Sequence, residues 1–299
     1  MKAAVTGSNG FVGSYLVPHL RELGDDVVTL DRSAVPPVDV TDSSQVRDAL
    51  RAARPDAVYH LAALSHVGQS WAAPEAVFRV NASGALSVLR ACADTGVERV
   101  LVVGSADVYG VVTDDDLPLT EDAPVRPVTP YGASKAAADL LALQAFLGDG
   151  LGTVRVRSFN HTGPGQATDM LVPALAQRIA DAERAGGSTV TVGNLDVVRD
   201  VTDVRDIVRA YRLLVEHGTP GEVYNVCSGR GVTVREIAEQ MLASSDAPLE
   251  FVVDPELVRP VDVPRLVGCA DKLRAATGWT PEIPLEQTLH DVLKAARSS

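Results

Sequence analysis

A glycine-rich loop, Gly7-Ser8-Asn9-Gly10-Phe11-Val12-Gly13, follows a short apolar run at residues 2–6 and opens a helical pattern over 15–23 that stops at Gly24. Strand, loop and helix in that order are the context in which such spacing reads as a dinucleotide-binding turn. Gly7 permits the tight turn, Gly10 lets the backbone approach a pyrophosphate, and Gly13 lets the helix pack on the strand. The phosphates then meet free amides at a helix N-terminus. Asn9, Phe11 and Val12 fall on the same turn and are candidate cofactor contacts.

The alternation continues. Residues 27–30 form a second strand ending at Asp31, which lies 18 positions beyond Gly13 (31 minus 13). An acid there suits a ribose 2′-hydroxyl and repels a 2′-phosphate, although Arg32 beside it can accommodate one. NAD(H) is the expected cofactor and NADP(H) the alternative. Residues 38–42 read as a third strand, with Val40 and Asp39 near the adenine; a local turn acid is the competing reading of Asp39. A strand over 57–63, carrying Leu61, Ala62 and Ala63 at its end, a helix over 80–93 and a strand over 100–103 extend the pattern. The fold class expected is α/β, a Rossmann-like doubly wound parallel sheet, whose ligands gather at the carboxyl ends of the strands. Ser105 falls at such an end.

Tyr131 and Lys135 are spaced to share one face of a helix. A neighbouring cation lowers a tyrosine pKa, so the pair is expected to let Tyr131 exchange protons near neutrality. Lysine is scarce: only Lys2, Lys135, Lys272 and Lys294 occur.

The formal charge of −12 disfavours a nucleic-acid partner and requires local arginines for any phosphorylated ligand. Arg199 and Arg259 can hold a diphosphate bidentately. Asn160 and Asn194 pair a donor with an acceptor, suiting a phosphate, sugar or base edge. His66 and His161 are candidate sugar contacts or structural histidines. Cys92, Cys227 and Cys269 are widely separated and read as buried free thiols, and no metal site is expected. Neither a leader nor a membrane-spanning run is visible, which points to the cytoplasm.

Gly7-x-x-Gly10-x-x-Gly13, His60-Leu61-Ala62-Ala63, Asn81, Gly104-Ser105-Ala106-Asp107-Val108-Tyr109-Gly110 and Tyr131-x-x-x-Lys135 stand in the order found in the extended short-chain dehydrogenase/reductase family, which the chain resembles over nearly its whole length. The resemblance implies that Ser105 is the catalytic Ser/Thr beside Tyr131 and Lys135. Arg157-Ser-Phe-Asn160-His161-Thr162-Gly163-Pro164-Gly165-Gln166 and Gly193-Asn194-Leu195-Asp196 are similar to segments of family members acting on GDP-linked 6-deoxyhexoses. That implies a GDP-sugar substrate touched by Asp107, Asn160, Asn194, Arg199 and Arg259. Reduction of a 4-keto group is the activity expected. A 4,6-dehydratase or an NAD-retaining 4-epimerase is the enzymatic alternative, and a redox-sensing dinucleotide binder the non-enzymatic one. Dehydratase relatives carry Glu where this chain has Asp107; one methylene less displaces a carboxylate by roughly 1 Å. A dinucleotide domain is expected over 1–159, with returns near 201–227, and a smaller discontinuous substrate domain over 160–200 and 228–299. The resemblance also implies a homodimer through helices near 81–94 and 131–147.

Overall fold

The computed structural model describes residues 1–245, 247–254, 257 and 263–298, and Arg259 lies outside them. The strands are β1 (Lys2–Thr6), β2 (Asp26–Leu30), β3 (Ala57–His60), β4 (Arg99–Val103), β5 (Gly152–Ser158), β6 (Asn160–Thr162), β7 (Thr189–Val192), β8 (Val198–Asp203), β9 (Val223–Val226), β10 (Gly231–Thr233), β11 (Glu250–Val253) and β12 (Arg265–Leu266). The helices are α1 (Phe11–Glu22), α2 (Ser43–Ala53), α3 (Pro74–Phe78), α4 (Gly84–Thr95), α5 (Pro130–Asp149), α6 (Leu171–Ala185), α7 (Val204–His217), α8 (Val234–Leu242), α9 (Asp271–Thr277) and α10 (Leu285–Arg297).

Six strands make one all-parallel sheet in the order β2-β1-β3-β4-β5-β9. Successive residues of a strand face opposite sides, and here both sides are apolar, as a doubly covered sheet requires. Ala4, Val58, Val100 and Val102 pack with α2, α4 and α5 residues such as Leu50, Leu89 and Ala142. Ala3, Val5, Tyr59 and Leu101 point the other way, onto Leu16 and Leu20 of α1 and Ile207, Tyr211 and Leu214 of α7. The chain is therefore the Rossmann-like doubly wound α/β fold anticipated from its motifs. Leu101 is fully buried between these layers, and truncating such a leucine to alanine costs about 2–5 kcal/mol.

A third core gathers α6, α8 and α10 around β7 and β8, through Leu175, Ile179, Val190, Val201, Ile237 and Leu289. Its strands form two small sheets: β10-β8-β12 with β6 added to β8, and β11 paired with β7. Since β5 and β6 are separated by Phe159 alone, this layer overhangs the carboxyl end of the main sheet.

The expected strand over 38–42 is absent. Val38 and Val40 are buried, but the Asp39 carboxylate accepts from the Thr41 amide and hydroxyl, both at 2.8 Å. That local turn bonding competes with a strand ladder. The strand placed at 57–63 ends earlier, at His60.

Candidate active site

The order of strands reverses about β1, with β2 on one side and β3 on the other, and the loops leaving β1 and β3 diverge there. Gly7 has φ +70°, and a Cβ on it would lie 2.8 Å from the Ala62 backbone beyond β3. A Cβ at Gly13 would collide with the Gly7 and Ser8 carbonyl oxygens. These positions fix a bare-backbone cradle at the start of α1. The N-cap of α1, Gly10, offers no side-chain cap, leaving first-turn amides for an anion. That cradle fits the pyrophosphate of a dinucleotide.

Ser8, Asn9 and Ser33 converge on Asp31 at the end of β2. Burial works against its ionised form, but hydroxyls of Ser33 and Ser8 and amides of Ser33 and Ala34 hold the carboxyl below its ordinary range. It is thus a preorganised acceptor. Arg32 next to it is exposed. Val40 packs against the first turn of α4, 3.0 Å from where a Cβ on Gly84 would be.

A cleft of about 750 Å³ opens from this cradle toward the overhanging layer. One wall carries Gly7, Gly10, Phe11, Val12, Gly13, Leu61, Ala63, Ser105, Asp107, Tyr131 and Lys135; the other carries Asn160, His161, Arg178, Asn194 and Arg199.

The catalytic candidates come together for local reasons. Thr129 caps α5 by accepting from the Gly132 amide at 3.0 Å, and Pro130 follows at the first helical position, a favoured helix start. A Cβ at Gly132 would lie 2.7 Å from the Asp107 carbonyl oxygen, so α5 seats directly on the turn bearing Ser105. Ser105 accepts from the Asp107 amide at 3.2 Å and its hydroxyl donates to the Asp107 carboxylate at 2.7 Å. Ser105 therefore caps a turn and faces the cleft at once.

Tyr131 and Lys135 are both buried. The expectation that Lys135 lowers the tyrosine pKa fails. Burial first, and then the Asp107 charge, push the Tyr131 phenol well above its ordinary value, with the Ser105 hydroxyl pulling the other way. The Lys135 ammonium instead donates to the Val103 carbonyl at 2.8 Å, and burial lowers its pKa to about 8. His60, beneath the cradle, is 2.8 Å from Thr6 Oγ1; burial, then Lys135, hold it neutral with a pKa of about 3.

On the far wall, His161 Nδ1 lies 3.0 Å from the Phe159 carbonyl, and its ring stacks on Phe11 at 6.3 Å. Burial lowers its pKa. Asn160 and Asn194 are exposed to the cleft, and Asn194 Oδ1 accepts from the Asp196 amide at 3.0 Å. Arg199 donates to the Val198 and Val263 carbonyls at 2.9 and 2.8 Å. Arg178 on α6 also lines this wall, and no local sequence pattern marks it. Arg157, by contrast, is structural: it reaches Asp139 at 3.0 Å and the Tyr109 hydroxyl at 3.1 Å, away from the cleft lining. All three thiols are free; Cys92 and Cys227 are buried as expected, whereas Cys269 is partly exposed. Among the described residues no His/Cys/Asp/Glu cluster suits a metal ion, and no helix is long and apolar enough to cross a membrane.

A family model described as GDP-mannose 4,6 dehydratase matches residues 4–292. The chain belongs to that family. Within the GDP-mannose 4,6 dehydratase family it is a nucleotide-sugar oxidoreductase of the extended short-chain dehydrogenase/reductase type. It is 36% identical to the GDP-6-deoxy-D-mannose reductase of Pseudomonas aeruginosa, over 97% of this chain and 95% of that protein. The structure of RMD from Pseudomonas aeruginosa complexed with NADPH superimposes with a TM-score of 0.91 at 34% identity, covering 99% of both chains. The UDP-glucose 4-epimerase of Thermus thermophilus in complex with NAD gives 0.89 at 31% identity over 100% of each chain.

Proposed function

We propose that the protein reduces the 4-keto group of a GDP-4-keto-6-deoxyhexose with NADH or NADPH, giving a GDP-6-deoxyhexose of the rhamnose type. The observation that carries this reading is the likeness to a GDP-6-deoxy-D-mannose reductase, 36% identical over 97% of this chain. Burial and the Asp107 carboxylate keep the Tyr131 phenol protonated through the neutral range. A reduction needs an acid at the nascent alkoxide, and a protonated Tyr131 is suited to that step.

In this reading Tyr131 donates its proton to the C4 oxygen and the Ser105 hydroxyl polarises the carbonyl. Lys135 orients the cofactor ribose. The nicotinamide supplies the hydride when bound. Asp31 accepts from the adenosine ribose, which favours NADH, and Arg32 leaves room for the 2′-phosphate of NADPH. Asn160, Asn194, Arg199 and Arg259 serve the sugar nucleotide, with Arg259 outside the described residues. Ser105 donates its one hydroxyl proton to Asp107 at 2.7 Å in the free protein, and exchanges that bond for the C4 carbonyl when the sugar binds.

Residues 1–159 with 201–227 make up the dinucleotide domain in this account, and 160–200 with 228–299 the sugar-nucleotide domain. Leu140 and Leu147, about two helical turns apart on α5, are 61% and 73% exposed and support a homodimer through α4 and α5; a particle of monomer mass in light scattering would reject it. The cytoplasm is the expected location. The enzymatic test is incubation with GDP-mannose, untreated or first converted by a GDP-mannose 4,6-dehydratase. Oxidation of NADH or NADPH with the converted sugar alone is expected; loss of water from GDP-mannose itself would make the protein a dehydratase.

A further inference from the structure

His66 and Asp169 approach each other from opposite walls of the cleft. His66 follows β3 on the nucleotide side, and Asp169 lies between β6 and α6 in the overhanging layer. His66 Nε2 is 3.3 Å from Asp169 Oδ2, and the Gln69 side-chain amide donates to the same oxygen at 3.5 Å. The tautomer follows from the other ring nitrogen. The Gln69 backbone amide donates to Nδ1 at 3.0 Å, so Nδ1 carries the lone pair and Nε2, the nitrogen facing the Asp169 carboxylate, carries the proton. Gly68 makes room for this pose: a Cβ there would lie 3.1 Å from the imidazole Cε1.

The base of the bridge is stiff. The fully buried Ser70 donates through its hydroxyl to the Val67 carbonyl at 2.6 Å. Just upstream, Asn81 accepts from the Leu64 amide at 2.8 Å, donates to the Leu64 carbonyl at 3.0 Å, and reaches Ser134 of α5 at 2.9 Å. The segment bearing Asp169 is bonded largely within itself, through Gln166 to Thr162 and Met170 to Ala167. Gly165 within it has φ +81° with no heavy atom within 4 Å of a Cβ. Tyr15 holds its near end by donating to the Pro164 carbonyl at 2.7 Å. The contact with His66 ties down its far end.

We propose that His66 is a positioning residue that, through Asp169, holds the 163–170 segment against the nucleotide wall and so sets the affinity for the sugar nucleotide, without moving a proton in the reaction. This rests on the reductase reading for the identity of the sugar.

Three variants separate the two contacts of the imidazole. His66→Asn keeps an acceptor for the Gln69 amide but falls short of Asp169. His66→Gln places an amide donor where Nε2 stands. Asp169→Ala removes the acceptor. With GDP-4-keto-6-deoxymannose, KM for the sugar should rise about three- to fivefold in His66→Asn and in Asp169→Ala, the scale of a half-exposed pair. The kcat and the cofactor KM should stay at wild-type values, His66→Gln should recover most of the loss, and the double variant His66→Asn/Asp169→Ala should be no worse than either single one. Wild-type behaviour of His66→Asn and Asp169→Ala with a defective His66→Gln would reduce His66 to a turn cap and overturn the proposal. A fall in kcat at constant KM would also overturn it. Amide hydrogen exchange over 163–170 needs no turnover: it should quicken in His66→Asn and Asp169→Ala, and unchanged exchange counts against the bridge. A wild-type protein inactive on the keto sugar would sink the reductase reading, and the exchange measurement would still decide the bridge.

Discussion

The nucleotide wall of the cleft and the sugar wall are built from different material. The first is mostly backbone: Gly7, Gly10 and Gly13 clear a surface, uncapped amides of α1 face it, and Asp31 is fixed by three neighbours from adjoining loops. The second is made of side chains, Asn160, Arg178, Asn194 and Arg199, delivered by separate elements of the overhanging layer. A backbone site needs little more than one tight turn and a helix terminus, so it tolerates change everywhere except where a Cβ would intrude. A side-chain site can be retuned residue by residue. That difference accounts for one scaffold carrying both a reductase and an epimerase among its relatives, and it places Ser105, Tyr131 and Lys135 at the seam.

The largest effect should come from the seam itself. Tyr131→Phe is expected to lower kcat by about 10² to 10⁴-fold, the range of general acid–base catalysis, with dinucleotide affinity by calorimetry unchanged. Loss of cofactor binding in that variant would break the division of labour. Next, Arg199→Ala should raise KM for the GDP-sugar by about tenfold, as expected for a charge-assisted hydrogen bond, while leaving the cofactor KM alone. Equal damage to both constants would mean that the walls are not independent. Asp31→Ala should move the NADPH-to-NADH preference toward NADPH by about tenfold, roughly 1.4 kcal/mol. No change in that ratio would remove Asp31 from the ribose site.

How much of this was legible beforehand follows from the same contrast. The Gly loop, Asp31, Ser105 and the Tyr131–Lys135 pair are local patterns with local physical reasons, and the alternation of strands and helices gave the sheet. The 38–42 segment misled because its valines are buried like strand residues, while Asp39 and Thr41 satisfy each other instead of a ladder. The sign of the Tyr131 shift was unreadable from spacing alone. Position i+4 puts Lys135 nearby, but only the fold shows its ammonium donating to the Val103 carbonyl and the Asp107 charge facing the phenol. Arg178 and the His66–Asp169 contact depend on how the upper layer overhangs the sheet. No short-range pattern encodes them.

A further effect is a matter of pH. Burial lowers Lys135 to about 8 from its ordinary 10.5, so between those values the unfolded chain binds the extra proton. The buried charge costs stability in full below about pH 8, and the cost is lifted as pH rises from about 8 to 10.5. Lys135→Met should flatten that part of the curve of unfolding free energy against pH. In the native enzyme, cofactor affinity should weaken as pH rises through about 8 and the ammonium is lost; affinity insensitive to pH there would separate Lys135 from the ribose.

The central claim is that the hydride on the sugar comes from an exchangeable reduced cofactor, delivered to C4 while Tyr131 supplies the proton. Turnover of GDP-4-keto-6-deoxymannose with NADPH or NADH deuterated at the transferred position of the nicotinamide C4, read by NMR of the product, tests it most directly. Deuterium at C4 of the sugar is the expected result. Conversion of GDP-mannose or its keto derivative with no cofactor deuterium in the product would show an internal hydride return, as in a dehydratase or epimerase, and would contradict the account.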